Sequence, residues 1–148
     1  MVGVLLISHG KMAEGIRDSI ELIMGETKAL DTASLVAGQD FEAFKKEVNE
    51  KIWQLNDGKG VVVYVDLFGA SPYNATMFSF QALQNEGIEI RVLTGMNLPM
   101  IMEVLAMREV LTLDELVQMG LRSGRDGIQE PVSDLLTSHV EDDEDGDY

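Results

Sequence analysis

The order of segments along the chain predicts an α/β protein: an open parallel sheet of four strands with helices on both faces. Three observations carry this expectation. Four strand-like runs, VGVLLIS at 2–8, LDTASLV at 30–36, GVVVYVD at 60–66 and IEIRVLTG at 88–95, are each followed by residues at helical spacing. The first and third runs are almost continuously apolar, as strands covered on both faces are. The intervals are long enough for crossover helices, and right-handed crossovers return successive strands parallel.

Each helix has a local reason. Met12, Ile16, Ile20 and Ile23 line one face of the first, and Gly25 supplies a stop. Phe41, Phe44, Val48, Ile52 and Leu55 mark the second, with Asp40 as its N-cap and a Glu47–Lys51 pair on its outer side. An Asp57-Gly58 turn precedes the third strand. Ser71 suits the N-cap and Pro72 the first position of a third helix that runs to about Leu83. Asn97 and Pro99 open a short helix through Met107, and Leu113, Leu116, Val117, Gly120 and Leu121 outline another. The nine methionines, several of them between 96 and 107, read as core filling.

A chain of 148 residues suits one domain, and 45% hydrophobic with 25% charged residues excludes wholesale disorder. Eleven Lys+Arg against 26 Asp+Glu give −15, which argues against nucleic acid as a partner. Six of the acids lie in EDDEDGDY at 141–148, so the remaining 20 acids and 11 bases leave residues 1–140 at −9. The expected division is a domain over 1–138 and an acidic, disordered tail over 139–148. No cysteine is present, and two histidines make a structural zinc site a poor expectation. Neither a signal sequence nor a membrane-spanning run is evident, so a cytoplasmic location is expected.

In open α/β sheets, sites form beyond the carboxyl ends of the strands. Here those ends carry Ser8-His9-Gly10, then Asp66 to Pro72, then Thr94 to Asn97. A carboxylate on one ring nitrogen of His9 would fix its tautomer and leave the other nitrogen as a nucleophile. Glycines at 10 and 69 would permit close backbone approach, and helix N–H groups near Ser71 and Asn97 would receive anionic oxygens. Taken singly, each residue has a plainer reading: His9 as a loop hydrogen-bonder, Ser71 and Asn97 as caps. Together they suit covalent phosphohistidine chemistry, in which the protein positions the group and offsets its charge.

LLISHG at 5–10, VDLFGASPYNAT at 65–76 and TGMNLPMIMEVL at 94–105 resemble the three signature segments of the mannose-family IIA component of the bacterial phosphoenolpyruvate-dependent sugar phosphotransferase system. The resemblance covers roughly residues 1–130. It implies that His9 accepts a phosphoryl group from the phosphocarrier HPr and passes it to a separate IIB component, with indirect association to the membrane components IIC and IID. It implies Asp66 as the orienting carboxylate and Ser71 as the active-site serine, with Gly69, Ala70, Tyr73 and Asn74 around the phosphate. It further implies strand order 2-1-3-4 and a homodimer that exchanges an extra edge strand, for which residues 131–136 (PVSDLL) are the candidate. No cofactor or metal is expected. Ala70 departs from the second glycine more usual in the family.

Other readings use the same residues. A serine hydrolase would need a GxSxG elbow around Ser71, which is missing. A tetrapyrrole chelatase would need more ligating groups than His9 and a surface His139 supply. The phosphotransfer subunit of a dihydroxyacetone kinase would use His9 identically and differ in its acceptor. A non-catalytic module that binds HPr would form a complex without turning phosphate over.

Overall fold

Strand β1 (Gly3–His9) is the axis of the molecule, pairing in parallel with β2 (Leu30–Leu35) on one side and β3 (Val61–Val65) on the other. β4 (Ile90–Thr94) pairs with the far side of β3, giving a parallel sheet of order β2-β1-β3-β4, as expected. The computed structural model describes residues 1–144. Six helices join and follow the strands: α1 (Met12–Met24), α2 (Phe41–Leu55), α3 (Ser71–Asn85), α4 (Leu98–Met107), α5 (Leu113–Asp126) and α6 (Pro131–Glu144).

Strand periodicity divides the core into two layers. Val4 and Leu6 of β1, with Val62 and Tyr64 of β3, face Ala13 and Ile20 of α1, Ile101 and Val104 of α4 and Leu116 of α5. Leu5, Ile7, Val61, Val63 and Val65 face the other way, onto Phe44, Val48 and Ile52 of α2 and Ala75 and Leu83 of α3. Each of these aliphatic side chains is buried, a contribution of about 1.5–3 kcal/mol apiece for the Val, Leu and Ile residues. Met96 and Met100 fill the first layer, which bears out the core reading for them, whereas Met12, Met24 and Met77 are exposed and depart from it. The Tyr64 hydroxyl, inside the same layer, donates to the Met100 carbonyl at 3.1 Å, and burial pushes its ionisation well above the ordinary range.

Asp40 caps α2 by accepting from Ala43 N–H at 3.0 Å, and Asn97 caps α4 by accepting from Met100 N–H at 3.2 Å. Asn97 also donates to the Gly124 carbonyl at 2.9 Å. Gly124 and Gly120 bring α5 close to α4; a Cβ at Gly124 would meet Met100 Cε at 2.5 Å. The amino ends of β1 and β2 are clasped by Arg108, whose buried guanidinium donates to the carbonyls of Val2, Lys28 and Ala29. Burial lowers the Arg108 pKa, and carbonyls take the place of a counter-ion.

Two expectations are corrected. The N-cap of α3 is Ala70, not Ser71, and Pro72 follows at the second helical position. Residues 131–136 are not a strand; they are the first turns of α6. The Glu130 carboxylate accepts from the N–H groups of Val132 and Ser133, each at 2.9 Å, and Pro131 opens the helix just beyond it. These start signals make the segment a helix, against the edge strand that the family resemblance implied. α6 runs past Ser138, the boundary expected for the tail, and residues 145–148 lie outside the described part.

Candidate active site

β1 and β3 are neighbours, so the residues after their carboxyl ends meet although 57 positions separate them in the chain. His9 closes β1, and Asp66 follows β3 directly. Asp66 Oδ2 accepts from His9 Nδ1 at 2.7 Å and from the His9 main-chain N–H at 2.9 Å, while Oδ1 accepts from Leu67 N–H at 2.9 Å. The Asp66 side chain is 11% exposed and the His9 side chain 48% exposed. The carboxylate thus sits inside the loop with three of its roughly four acceptor sites used. The ring stands outside it with Nε2 on the side away from Asp66. A ring held this way carries its proton on Nδ1 and offers the Nε2 lone pair.

Gly10 and Gly69 contribute by conformation and not by close approach. They have φ of +55° and +77°, the left-handed region, and a Cβ at either would meet nothing within 4 Å. Gly10 turns the chain immediately after His9, and its N–H donates to the Leu35 carbonyl at 2.8 Å. Gly69 turns the chain into α3, which shifts the cap to Ala70 in extended geometry.

Ala70 has no side chain to cap α3. The main-chain N–H groups of Ser71 and Tyr73 therefore have no acceptor among the described residues, and neither has the half-buried Ser71 hydroxyl. Asn74 differs: its N–H is committed to the Ala70 carbonyl at 2.9 Å, and its side-chain amide donates to the Gly69 carbonyl at 3.3 Å. The first turn of α3 thus presents free donors at Ser71 and Tyr73 but not at Asn74. Asn97 is likewise occupied, by α4 and α5.

Around the imidazole the surface is apolar and open. Met12 at the start of α1, Val36 after β2, and Leu67 and Phe68 after β3 are 47%, 52%, 60% and 71% exposed. The Phe68 ring leans on Tyr73 with centroids 4.9 Å apart. By contrast, a cavity of about 550 Å³ lined by Met1, Val2, Lys59, Arg108 and Leu113 lies at the amino end of the sheet, far from His9.

A family described as the PTS system fructose IIA component matches residues 3–120. The chain belongs to this family of phosphotransferase-system IIA components. It is 31% identical over 129 residues to the mannose-specific EIIAB component of Escherichia coli (strain K12), covering 86% of this chain and 39% of that protein. Thus it spans about two fifths of that relative's length. Against the fructose-specific EIIA component of Bacillus subtilis (strain 168), identity is 30% over 117 residues, covering 79% of this chain and 77% of the relative. Among solved structures, the phosphotransferase system component EIIA from Streptococcus agalactiae superposes with a TM-score of 0.78 at 29% identity, covering 90% of this chain and 99% of that one. The strand order that the resemblance implies, 2-1-3-4, is the one observed. No helix among the described residues is long and apolar enough to cross a membrane.

One contributor escapes sequence reasoning. Ser8 reads as the last residue of a buried strand, yet its hydroxyl accepts from Ala13 N–H at 2.8 Å. A polar residue at a strand position that alternation assigns to the core, just before a helix without a capping side chain, is the signal that would find it.

Proposed function

We propose that this IIA component is a phosphoryl carrier that accepts phosphate from phospho-HPr on His9 and passes it to a IIB component. The observation that carries the reading is the 2.7 Å contact of Asp66 Oδ2 with His9 Nδ1, which leaves Nε2 exposed. In the transfer, the Nε2 lone pair attacks phosphorus in line with the nitrogen–phosphorus bond of the donor phosphohistidine. That bond breaks, its electrons return to the donor ring, and His9 becomes a phosphorylated cation. Asp66 stabilises the positive ring through the proton on Nδ1. Onward transfer reverses the roles.

The incoming group brings about two negative charges to a strongly acidic protein. No Lys or Arg lies between Asp66 and Asn74, and Lys11 is the basic residue nearest His9 in sequence. The Ser71 and Tyr73 amides and the Ser71 hydroxyl, all at the positive end of α3, are the groups suited to offset that charge. Gly69 and Ala70 shape the turn and keep it open. The exposed collar of Met12, Val36, Leu67 and Phe68 supports a protein partner, since it offers a docking face and encloses no small molecule.

The carrier works in the cytoplasm on residues 1–138, as a homodimer, and meets IIC and IID only through IIB. The acidic stretch over 139–148 is dispensable for transfer. The test is incubation with phosphoenolpyruvate, enzyme I and HPr, followed by mapping of acid-labile phosphate. Label on His9, absent in His9→Ala and transferable to IIB, is expected. Label on His139, or a stable HPr complex that turns over no phosphate, overturns the proposal.

A further inference from the structure

We propose that Ser8 is a positioning residue for phosphoryl transfer: its buried hydroxyl seats the His9 main chain and so aims the ring. Ser8 has no exposed surface and shares the face of β1 that Val4 and Leu6 give to the α1 side of the core. A hydroxyl there is out of place unless its hydrogen bonds are used. Both are: Oγ accepts from Ala13 N–H at 2.8 Å and reaches the Gly10 carbonyl at 3.3 Å.

Ala13 is the second residue of α1 and is itself buried, and the N-cap residue Lys11 makes no side-chain cap. The donor that a capping side chain would ordinarily satisfy is instead taken by Ser8, five residues earlier. The bond closes the chain from Ser8 to Ala13 on itself, with His9 and Gly10 inside the ring. Two further ties hold the same segment: His9 N–H to Asp66 Oδ2 at 2.9 Å, from the β3 side, and Gly10 N–H to the Leu35 carbonyl at 2.8 Å, from the β2 side. Ser8 supplies the third, from α1. With all three, the main chain at His9 has no freedom to swing, and the ring meets Asp66 in one orientation. Without the Ser8 tie, the loop is held only towards β2 and β3, the Asp66 contact opens more often, and the Nδ1–H tautomer is less well held.

The transfer rate in the test rests on the carrier role proposed above; the ring geometry does not. Ser8→Ala, the near-isosteric Ser8→Cys and the hydroxyl-retaining Ser8→Thr are compared by three measurements. These are hydrogen exchange of the Ala13 amide, the ¹⁵N shifts of the His9 ring, and phosphoryl uptake from phospho-HPr. Ser8→Ala and Ser8→Cys should speed Ala13 exchange, lower the Nδ1–H population and slow uptake by roughly 10- to 100-fold with little change in KM. Ser8→Thr should restore all three. If Ser8→Ala fails to fold, Ser8→Cys decides, because it conserves volume while weakening the hydrogen bond. A folded Cys or Ala variant with unchanged ring shifts and uptake overturns the proposal and leaves Ser8 a helix cap. A wild-type protein that takes no phosphate overturns the carrier role alone, and the ring shifts still judge Ser8.

Discussion

A single oxygen of Asp66, Oδ2, receives both the main-chain N–H and the ring Nδ1 of His9, at 2.9 and 2.7 Å. One atom therefore ties the position of the residue to the orientation of its side chain. In Asp66→Asn the main-chain N–H demands the amide oxygen, so the ring keeps a neutral acceptor and loses the charge. Transfer should slow by the worth of a charge-assisted hydrogen bond, about 1.5–3 kcal/mol, while the ring stays in place. Asp66→Ala should be slower still and less stable, because His9 N–H is then orphaned. Rapid-quench kinetics and thermal melts separate the two.

Substitutions at Ser71 and Ala70 should both slow transfer but differ in their effect on stability. Ser71→Ala removes a hydroxyl with no partner among the described residues, so the melt should hardly move while transfer slows by about 1.5–3 kcal/mol in barrier. Ala70→Asp places a cap where the backbone is already extended, at φ −85° and ψ 178°. It should stabilise the protein by about 1 kcal/mol and slow transfer, since a carboxylate then occupies the donors offered to phosphate. An Ala70→Asp variant that is more stable and equally fast would detach the α3 terminus from the reaction.

Phe68 is 71% exposed and touches Tyr73, so Phe68→Ser should fold normally. Its expected effect is on docking: KM for phospho-HPr rises about tenfold or more with kcat nearly constant, as for an aromatic anchor. Steady-state kinetics at varied HPr decide it. A fall in kcat at constant KM would place Phe68 in the chemical step instead.

Thr112 and Glu115 form a capping box at α5, with the carboxylate accepting from Thr112 N–H at 2.8 Å and from its hydroxyl at 3.0 Å. These bonds hold the Glu115 pKa below the ordinary glutamate value. A carboxyl lowered on folding stabilises the protein above its unfolded pKa, and that contribution disappears as pH falls through the folded one. Glu115→Gln should therefore lose less stability than wild type on acidification below the usual glutamate range. Urea titrations at neutral and acid pH measure the difference.

Much of this was legible in the sequence, for reasons tied to particular residues. The VGVLLIS and GVVVYVD runs place His9 and Asp66 at neighbouring strand ends once the strand order is known, and their contact follows. The cap of α3 was misread by one residue because Gly69 takes φ of +77°, a tertiary choice that Ser-Pro statistics do not encode. Moving the cap to Ala70 also commits the Asn74 N–H to the helix, so Asn74 offers no free main-chain donor. The α6 segment differs for another reason: the edge strand was carried over from the resemblance and not from any pattern in PVSDLL, and the Glu130 contacts that start a helix there come from a side chain just outside it.

The alternation of β1 and β3 leaves the two layers of core divided by the thickness of a single sheet. Substitutions on opposite faces, such as one at Phe44 and one at Ile101, share no side-chain partner, and their effects on stability should add. The transfer site lies across that division. His9 is carried by the loop into α1, which belongs to one layer, and Ser71 by α3, which belongs to the other. A substitution confined to one layer should therefore move His9 relative to Ser71 while the opposite half keeps its register. Under the proposed carrier role, transfer speed is then adjustable from either layer with His9, Asp66 and Ser71 all left unchanged.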